Sequence, residues 1–506
     1  MMAEKTTIPP QEIELKLVFP PDARALIDRH PVFQGASVSE QHLVTTYYDT
    51  SDLILHRTGF SLRVRQHGRK RMQTLKSGSI DGGVAARRHE WEWPVRSSQP
   101  DLALLAKTPA AALEPVLAGN VKPVVVTDIR RTVLLLKHDE ALVEVAIDEG
   151  VVRAAGKTLP IREIELELKD GPILPLCRLA LRLQAALPLR IGVESKAERG
   201  YRMLRGEGPV AVEASIPALP RRVMTGDGFR MIIRAGLEGL IRNQPAAEAG
   251  DVEGIHQMRV AIRKLRSALQ LFEPYLEAHT IGPFEDELQR LGRVLGEARD
   301  RDVFCMETLP AVFSTPDSND WRLLLDRVAT ESRDAAHQAV QRELAGPALT
   351  ALALGLMAWA EDRPLSADED VALTLLAAIA PAPLDRFFRK VNRRGRRIDP
   401  ASPETLHDLR KSLKKLRYGA DYFASLFPGR RVRPYLKRCK ILQRALGEIN
   451  DAAVALTLAD EFSDSHVDLA PACGAVARWS DRKTRKALRK FPQSWKDFQD
   501  VTPFWR

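Results

Sequence analysis

Apolar residues recur at every second position in the first part of this chain and at helical spacing in the rest. From Glu12 to about Val152, and again around Ile164, alternating segments such as EIELKL, SLRVRQ, HEWEWPV, ALVEVAID and EIELELK are separated by Gly, Pro, Asp and Ser clusters. That is the strand and turn pattern of an antiparallel sheet. One helical stretch, LPLCRLALRLQAALP, interrupts it late. Residues 206–220, GEGPVAVEASIPALP, have no clear period and read as a linker. Beyond them, 229–242, 255–276, 285–306, 321–344, 372–380, 406–426 and 435–462 place apolar residues at i, i+3, i+4 and i+7. The expected fold is therefore α+β, an antiparallel β domain followed by an all-α domain, in a chain of 506 residues.

The helical half repeats itself. His256-Gln-Met-Arg259-Val-Ala-Ile-Arg263-Lys264-Leu-Arg266 aligns with His407-Asp-Leu-Arg410-Lys-Ser-Leu-Lys414-Lys415-Leu-Arg417 at an offset of 151 residues. A second block, 291–300, aligns with 442–451 at the same offset and pairs Arg293 with Arg444. Two separate blocks that keep one offset imply two homologous helical units.

Charge narrows the partners. The net charge is +10, and residues 385–440 alone hold 18 Lys+Arg against 5 Asp+Glu. A focus of that size captures polyanions. No apolar run approaches the ~20 residues that span a bilayer, so no membrane segment is expected. The first residues, MMAEKTTIPPQEIELKL, lack a secretory pattern. Cys177, Cys305, Cys439 and Cys473 are widely spaced and read as reduced thiols. Together these features point to a cytoplasmic protein.

In the strand half, charged residues come in same-face sets: Glu12, Glu14 and Lys16; Arg63 and Arg65; Arg88, Glu90 and Glu92; Glu144 and Asp148; Glu163, Glu165, Glu167 and Lys169. Alternation alone leaves open which face is inside. Charges turned to solvent are the ordinary arrangement for one strand. A lumen carrying both signs would suit a metal-bound polyanion. Clustered carboxylates can share a divalent cation. Arginines at i, i+2 can each grip a phosphate bidentately.

Glu12-x-Glu14-x-Lys16 resembles the signature of the CYTH superfamily, the triphosphate tunnel metalloenzymes. LRVR (62–65), QTLKSG (73–78), RHEWEWP (88–94), DIRRT (128–132), EVAIDEG (144–150), EIELELK (163–169) and SKAERGY (195–201) follow in that family's order, so the resemblance covers about residues 8–205. It implies an eight-stranded antiparallel barrel and hydrolysis of a triphosphate that depends on Mg2+ or Mn2+. It assigns metal ligation to Glu12, Glu14, Asp148, Glu165 and Glu167. Phosphate binding falls to Lys16, Arg63, Arg65, Lys76, Arg88, Arg131 and Lys196, and the chemistry centres on Glu12, Glu14, Lys16 and Lys196. Strand parity favours Arg131 over Arg130, because Val125, Thr127, Ile129 and Arg131 share a face.

In the helical half, each apolar stripe is flanked by cations at i, i+3, i+7 and i+10: His256, Arg259, Arg263 and Arg266, then His407, Arg410, Lys414 and Arg417. Like charges at this spacing weaken a helix. Their presence in both copies suggests an anionic partner, and Lys264, Lys415, Arg293 and Arg444 extend the patch. These HxxR blocks resemble the CHAD domain over about residues 225–495, after a linker at 206–224. The resemblance implies two four-helix units around a basic cavity that binds inorganic polyphosphate. Only 6% of the chain is aromatic and the basic rows lack stacking platforms, so nucleic acid is a poor fit.

The expected function is hydrolysis of inorganic triphosphate coupled to polyphosphate binding, with polyphosphate granules as one expected location. The alternatives are a non-catalytic granule-associated binding protein, or another CYTH activity such as nucleotide or thiamine triphosphatase or adenylate cyclase. Oligomeric state has no signature in the sequence.

Overall fold

A computed structural model describes residues 11–77, 86–313, 320–362, 365, 369–399 and 402–506; the side chains of 11, 12, 86–88, 278 and 369 are not described. The chain divides into two compact units. One is residues 1–210 together with 347–362, and the other is residues 211–346 together with 363–506.

The first unit is built on one antiparallel sheet. Its strands are β1 (Gln11–Val18), β2 (Val38–Asp49), β3 (Phe60–His67), β4 (Lys70–Ser77), β5 (Ala86–Val95), β6 (Lys122–His138), β7 (Ala141–Ala154), β8 (Lys157–Asp170) and β9 (Arg190–Ile191). Their order is β5-β4-β3-β2-β6-β7-β8-β1-β9, and β1 also pairs with β5. The last contact spans four residue pairs, from Gln11↔His89 to Glu14↔Ala86. The sheet thus curls until its ends touch, without the continuous closure of a barrel.

Nine strands, rather than the expected eight, form because residues 190–191 lie along Leu17 and Val18. Gly192 then donates its N–H to the Lys16 carbonyl at 2.8 Å. A Cβ at Gly192 would stand 3.0 Å from the Lys16 and Val18 side chains, so glycine eases this close approach of the chain. Two residues are too short to show a period of two.

Helices of ten or more residues are numbered in order. In the first unit, α1 (Ile173–Ala186) covers the outer face of the sheet, and α2 (Lys196–Arg205) packs on β6 and β7. Leu15, Leu17, Ile164 and Leu166 are fully buried. The aliphatic rows of β1 and β8 therefore form a core, and the alternating charges turn inward.

In the second unit, α3 (Thr225–Arg242), α4 (Val252–Phe272), α5 (Ala278–Val303) and α6 (Asp320–Ala345) precede the 151-residue offset. The chain then contributes α7 (Ala348–Glu361) to the first unit, where it packs on α1. Arg178 on α1 pairs with Asp362 at 2.9 Å at the end of α7. The second unit resumes with α8 (Pro381–Arg396), α9 (Pro403–Phe423), α10 (Gly429–Ser465) and α11 (Ala470–Asp500).

The offset governs the helix ends. Both α4 and α9 have 21 residues, and side chains cap them at Asp251 and Ser402. Three-residue turns follow at Glu273–Tyr275 and Ala424–Leu426. Their apolar stripes, from Ile255 to Phe272 and from Leu406 to Phe423, are buried, and Phe272 meets Phe423 edge to face at 6.0 Å.

The stretch expected as a linker is partly fastened down. The Val212 N–H donates to the Asn243 side chain at 2.8 Å, and the Ala214 N–H to Gln257 at 3.1 Å. Ala214, Leu219 and Val223 are buried.

Candidate functional site

The inward face of the curled sheet gathers charges of both signs. The register sets Lys16 opposite Glu165, Glu14 opposite Glu167, and Asp148 opposite Glu163. Oxygens of Asp148, Glu163 and Glu165 all lie within 4.8 Å of one another. Asp148 and Glu163 are fully buried. Buried carboxylates this close require positive charge. Three cations supply it. Lys196 reaches Asp148 and Glu165 at 2.7 Å each and also bonds Glu163. Arg131 grips Asp148 with two nitrogens at 2.6 and 2.7 Å and reaches Glu165. Lys16 stands 3.4 to 3.7 Å from Glu165, Glu163 and Glu14.

The network sets the protonation states. Burial alone would lower Lys196, but Asp148, Glu163 and Glu165 outweigh it and hold its pKa above the ordinary lysine value. Burial is likewise outweighed at Lys16, by Glu163, Glu14 and Glu165. Burial would raise Asp148 and Glu165, yet the neighbouring cations, Lys196 foremost, hold both below the usual carboxylate range. All four groups are charged at neutral pH.

The segment SKAERGY explains how Lys196 is aimed. Ser195 caps α2 and Glu198 reaches back to the Ser195 N–H, which completes a capping box. Lys196 is thus the first helical residue, at the end nearest the carboxylates. Arg199 bonds Glu163 at 2.8 Å. Gly200 lies so close to β6 that a Cβ would sit 2.3 Å from Val125. Tyr201 donates its hydroxyl to the buried Asp49 at 3.1 Å. A cap, a close-packing glycine and a buried hydrogen bond fix one lysine.

A second inward group lies on β2 to β5. Arg63 pairs with Glu90 at 3.0 Å, and Lys76 pairs with Glu90 at 2.8 Å. Arg65 is pushed down to about 10 by Arg63, with burial and Arg131 adding to the effect. Tyr47 lies among Arg63, Arg65 and Lys196, which lower its phenol despite burial. This wall holds cations in excess and is suited to phosphate oxygens.

Glu167 stands apart from the buried triad and bonds Lys169 at 2.7 Å. Glu163 takes the place beside Asp148 and Glu165. The sequence placed it on that face, but without a register it was not separated from Glu167. Glu12 and Arg88 are backbone partners across β1 and β5, and their side chains lie outside the described residues. Arg130 is exposed, whereas Arg131 joins the network. Sequence reasoning missed Arg199 and Tyr47, whose motifs SKAERGY and TTYYD carried the signal.

The basic rows of the second unit face one another. Arg259 bonds Asp300 at 2.8 Å, and Arg410 bonds Asn450 at 2.9 Å. Arg266 bonds Gln289 and Arg417 bonds Asp421. His407 contacts Asn450 at 3.1 Å, while His256 keeps a buried Nδ1 without a partner. Burial and then Arg299 lower His256.

Burial lowers Arg410, and Arg263 and Arg259 lower it further. Burial also lowers Lys415, followed by Lys390, Arg266 and Arg394. Lys264 is drawn away to the Ala214 carbonyl. Arg293 and Arg444 stand exposed on α5 and α10. Beside His407 lies a cavity of about 490 Å³ lined by the acids Glu297, Asp300, Glu404 and Glu461, by Arg301 and by aliphatic residues such as Leu446 and Ile449. Four acids against one arginine make it unsuited to a polyanion.

Known proteins resemble both units. Residues 10–201 match the CYTH domain and residues 231–460 the CHAD domain. Over 200 residues the chain is 30% identical to an inorganic triphosphatase of Haemophilus influenzae. That alignment covers 38% of this chain and 54% of the relative, so the chain spans about half of that protein. An uncharacterised protein of Mycobacterium tuberculosis is 27% identical over 505 residues, covering 89% of this chain and 91% of that one. The crystal structure of the CHAD domain from Ricinus communis superposes with a TM-score of 0.52 at 26% identity, covering 58% of this chain and 98% of that one. The chain therefore carries a CYTH domain and a CHAD domain fused in one polypeptide.

Proposed function

We propose that the CYTH unit hydrolyses inorganic triphosphate with a divalent cation and that the CHAD unit binds inorganic polyphosphate. The observation that carries the first part is the buried triad Asp148, Glu163 and Glu165, set among inward-facing lysines and arginines. The resemblance to a triphosphatase of Haemophilus influenzae supports it. Hard carboxylate oxygens this close suit Mg2+ or Mn2+, so the residues fit the metal that the fold family implies. Asp148, Glu163 and Glu165 would hold it, with Glu14 adjoining, and it would supply electrostatic stabilisation of the phosphoryl oxygens.

The chain's own residues do the rest. Arg63, Arg65 and Lys76 bind the phosphate groups and orient the chain of three along the lumen. Lys16, Arg131 and Lys196 stand next to the carboxylates and can turn to phosphoryl oxygens as negative charge builds there. Burial of the wall keeps these contacts strong by limiting water. In the CHAD unit, the two basic rows and the matched helix ends support two homologous four-helix halves whose cations meet a shared polyanion. A location in the cytoplasm and at polyphosphate granules is part of this reading.

The test is phosphate release with Mg2+ from inorganic triphosphate, ATP, thiamine triphosphate and long-chain polyphosphate, with Glu165→Gln alongside. Preferential cleavage of triphosphate, lost in the variant, is expected. Release from none of them, with long polyphosphate still held, would leave a binding protein in place of an enzyme.

A further inference from the structure

The two copies of the helical repeat differ around their histidines. In the first copy Arg299 acts on His256 and pairs with Glu307 at 3.3 Å. The offset of 151 puts Asn450 in place of Arg299 and Leu458 in place of Glu307, so the second copy has neither member of that ion pair. Asn450 and Leu458 both line the cavity of about 490 Å³ beside His407. A shorter amide and an aliphatic side chain thus stand where the first copy has a salt bridge.

The acids change partners as well. Glu253 accepts a hydrogen bond from Gln257 at 2.6 Å in the first copy. Its counterpart Glu404 has Asp408 in the place of that glutamine, and Asp408 is engaged by Arg394 at 2.9 Å. On the cavity wall, Asp300 is held by Arg259 at 2.8 Å and Glu461 stands 3.7 Å from Arg301. Among the described residues, the side chains of Glu297 and Glu404 make no hydrogen bond or ion pair. They come from α5 and α9, and both are exposed. The lining also includes Leu406, Leu446, Ile449 and Leu458, all of them buried.

The cavity therefore joins an aliphatic lining to two uncompensated carboxylates, and this pairing selects among cations. A divalent metal ion needs several oxygens converging on one point. Among the described residues, no three of these acids bring oxygens within 4.8 Å of one another, as Asp148, Glu163 and Glu165 do. A metal ion also gains nothing from buried leucines. A chain of methylenes carrying ammonium groups uses both features. Its methylenes cover apolar surface as the stem of a lysine does, and its ammonium groups donate to carboxylates. The volume is that of a small-molecule site.

We propose that the cavity between α5, α9 and α10 binds a linear aliphatic polyamine, with Glu297 and Glu404 taking its ammonium groups and Leu446, Ile449 and Leu458 covering its methylenes. Arg299 places a fixed positive charge at the equivalent point of the first copy, so the site belongs to the second. Neither triphosphate hydrolysis nor polyphosphate capture is needed for this binding. Exposed ion pairs are individually weak, so the expected dissociation constant is about 0.1–1 mM at low salt and rises as salt is added.

The experiment is calorimetric titration of the full chain with spermidine, in metal-free, low-salt buffer near pH 7.5, beside Glu404→Gln and Asn450→Arg. Wild type is expected to bind spermidine. Glu404→Gln, a substitution at an exposed position, should weaken binding about fivefold. Asn450→Arg installs the residue of the first copy and should abolish it. Mg2+ at matched ionic strength should leave the bound amine in place. Equal affinity in wild type and Glu404→Gln overturns the inference and moves the amine to another acidic surface. Displacement by Mg2+ at matched ionic strength overturns it in favour of a metal ion, and so does the absence of wild-type binding up to about 10 mM spermidine in favour of an empty cavity. If Asn450→Arg fails to fold, the comparison with Glu404→Gln decides alone.

Discussion

The two units hold their cations in opposite electrostatic states. In the curled sheet, Lys16, Lys196 and Arg131 are locked to carboxylates, and their pKa values lie above the ordinary ones. On the helices, Arg410, Lys414, Lys415 and Lys264 are depressed by burial and by neighbouring cations. An anion entering the first site competes with carboxylates already in place. An anion entering the second relieves a repulsion. The comparison teaches that a site balanced in charge needs an added cation before it accepts a polyanion, whereas a crowded cationic site needs none.

Metal removal is the sharpest way to break this contrast. Chelation should cut phosphate release by at least about a hundredfold while changing polyphosphate affinity of the same protein by less than about threefold. Parallel release and binding assays check it, and an equal loss of both would erase the distinction. Lys196→Ala comes next. It leaves Asp148, Glu163 and Glu165 with one buried partner fewer, so destabilisation of about 3–5 kcal/mol is expected, read by denaturant unfolding.

The smallest effect has the opposite sign. Lys414→Met removes a charge that the fold resists, so the ligand-free protein should melt about 2–4 °C higher. Because the folded pKa lies below the unfolded value, the strain is full below pH 6 and fades as pH rises toward 10.5. The gain in melting temperature should shrink along that window.

Much of this was legible in the sequence, because period and spacing are local properties. The switch from alternation to helical spacing separates the sheet from the helices, and the 151-residue offset anticipates the ends of α4 and α9. Register is not local. EIELEL carries three same-face glutamates, and only the pairing of β8 with β7 selects Glu163 to stand beside Asp148. Lys264 reads as one more cation of the basic patch until the chain at Ala214 is found against it. The apolar segment 348–361 falls within the residues that resemble the CHAD domain, and nothing in its composition says that it belongs with α1.

That placement of α7 has a consequence for synthesis. The polypeptide passes between the two units at 210/211, at 346/347 and again at 362/363. Until residue 362 has left the ribosome, α1, whose Leu176, Leu179, Ala180 and Leu183 are buried in the finished unit, lacks the helix that packs on it. The N-terminal unit therefore begins to fold first but is completed only after α3 to α6 have emerged. A shortened chain ending at residue 210 would carry α1 without α7, so the CYTH unit inherits its finished form from sequence translated long after its own last strand.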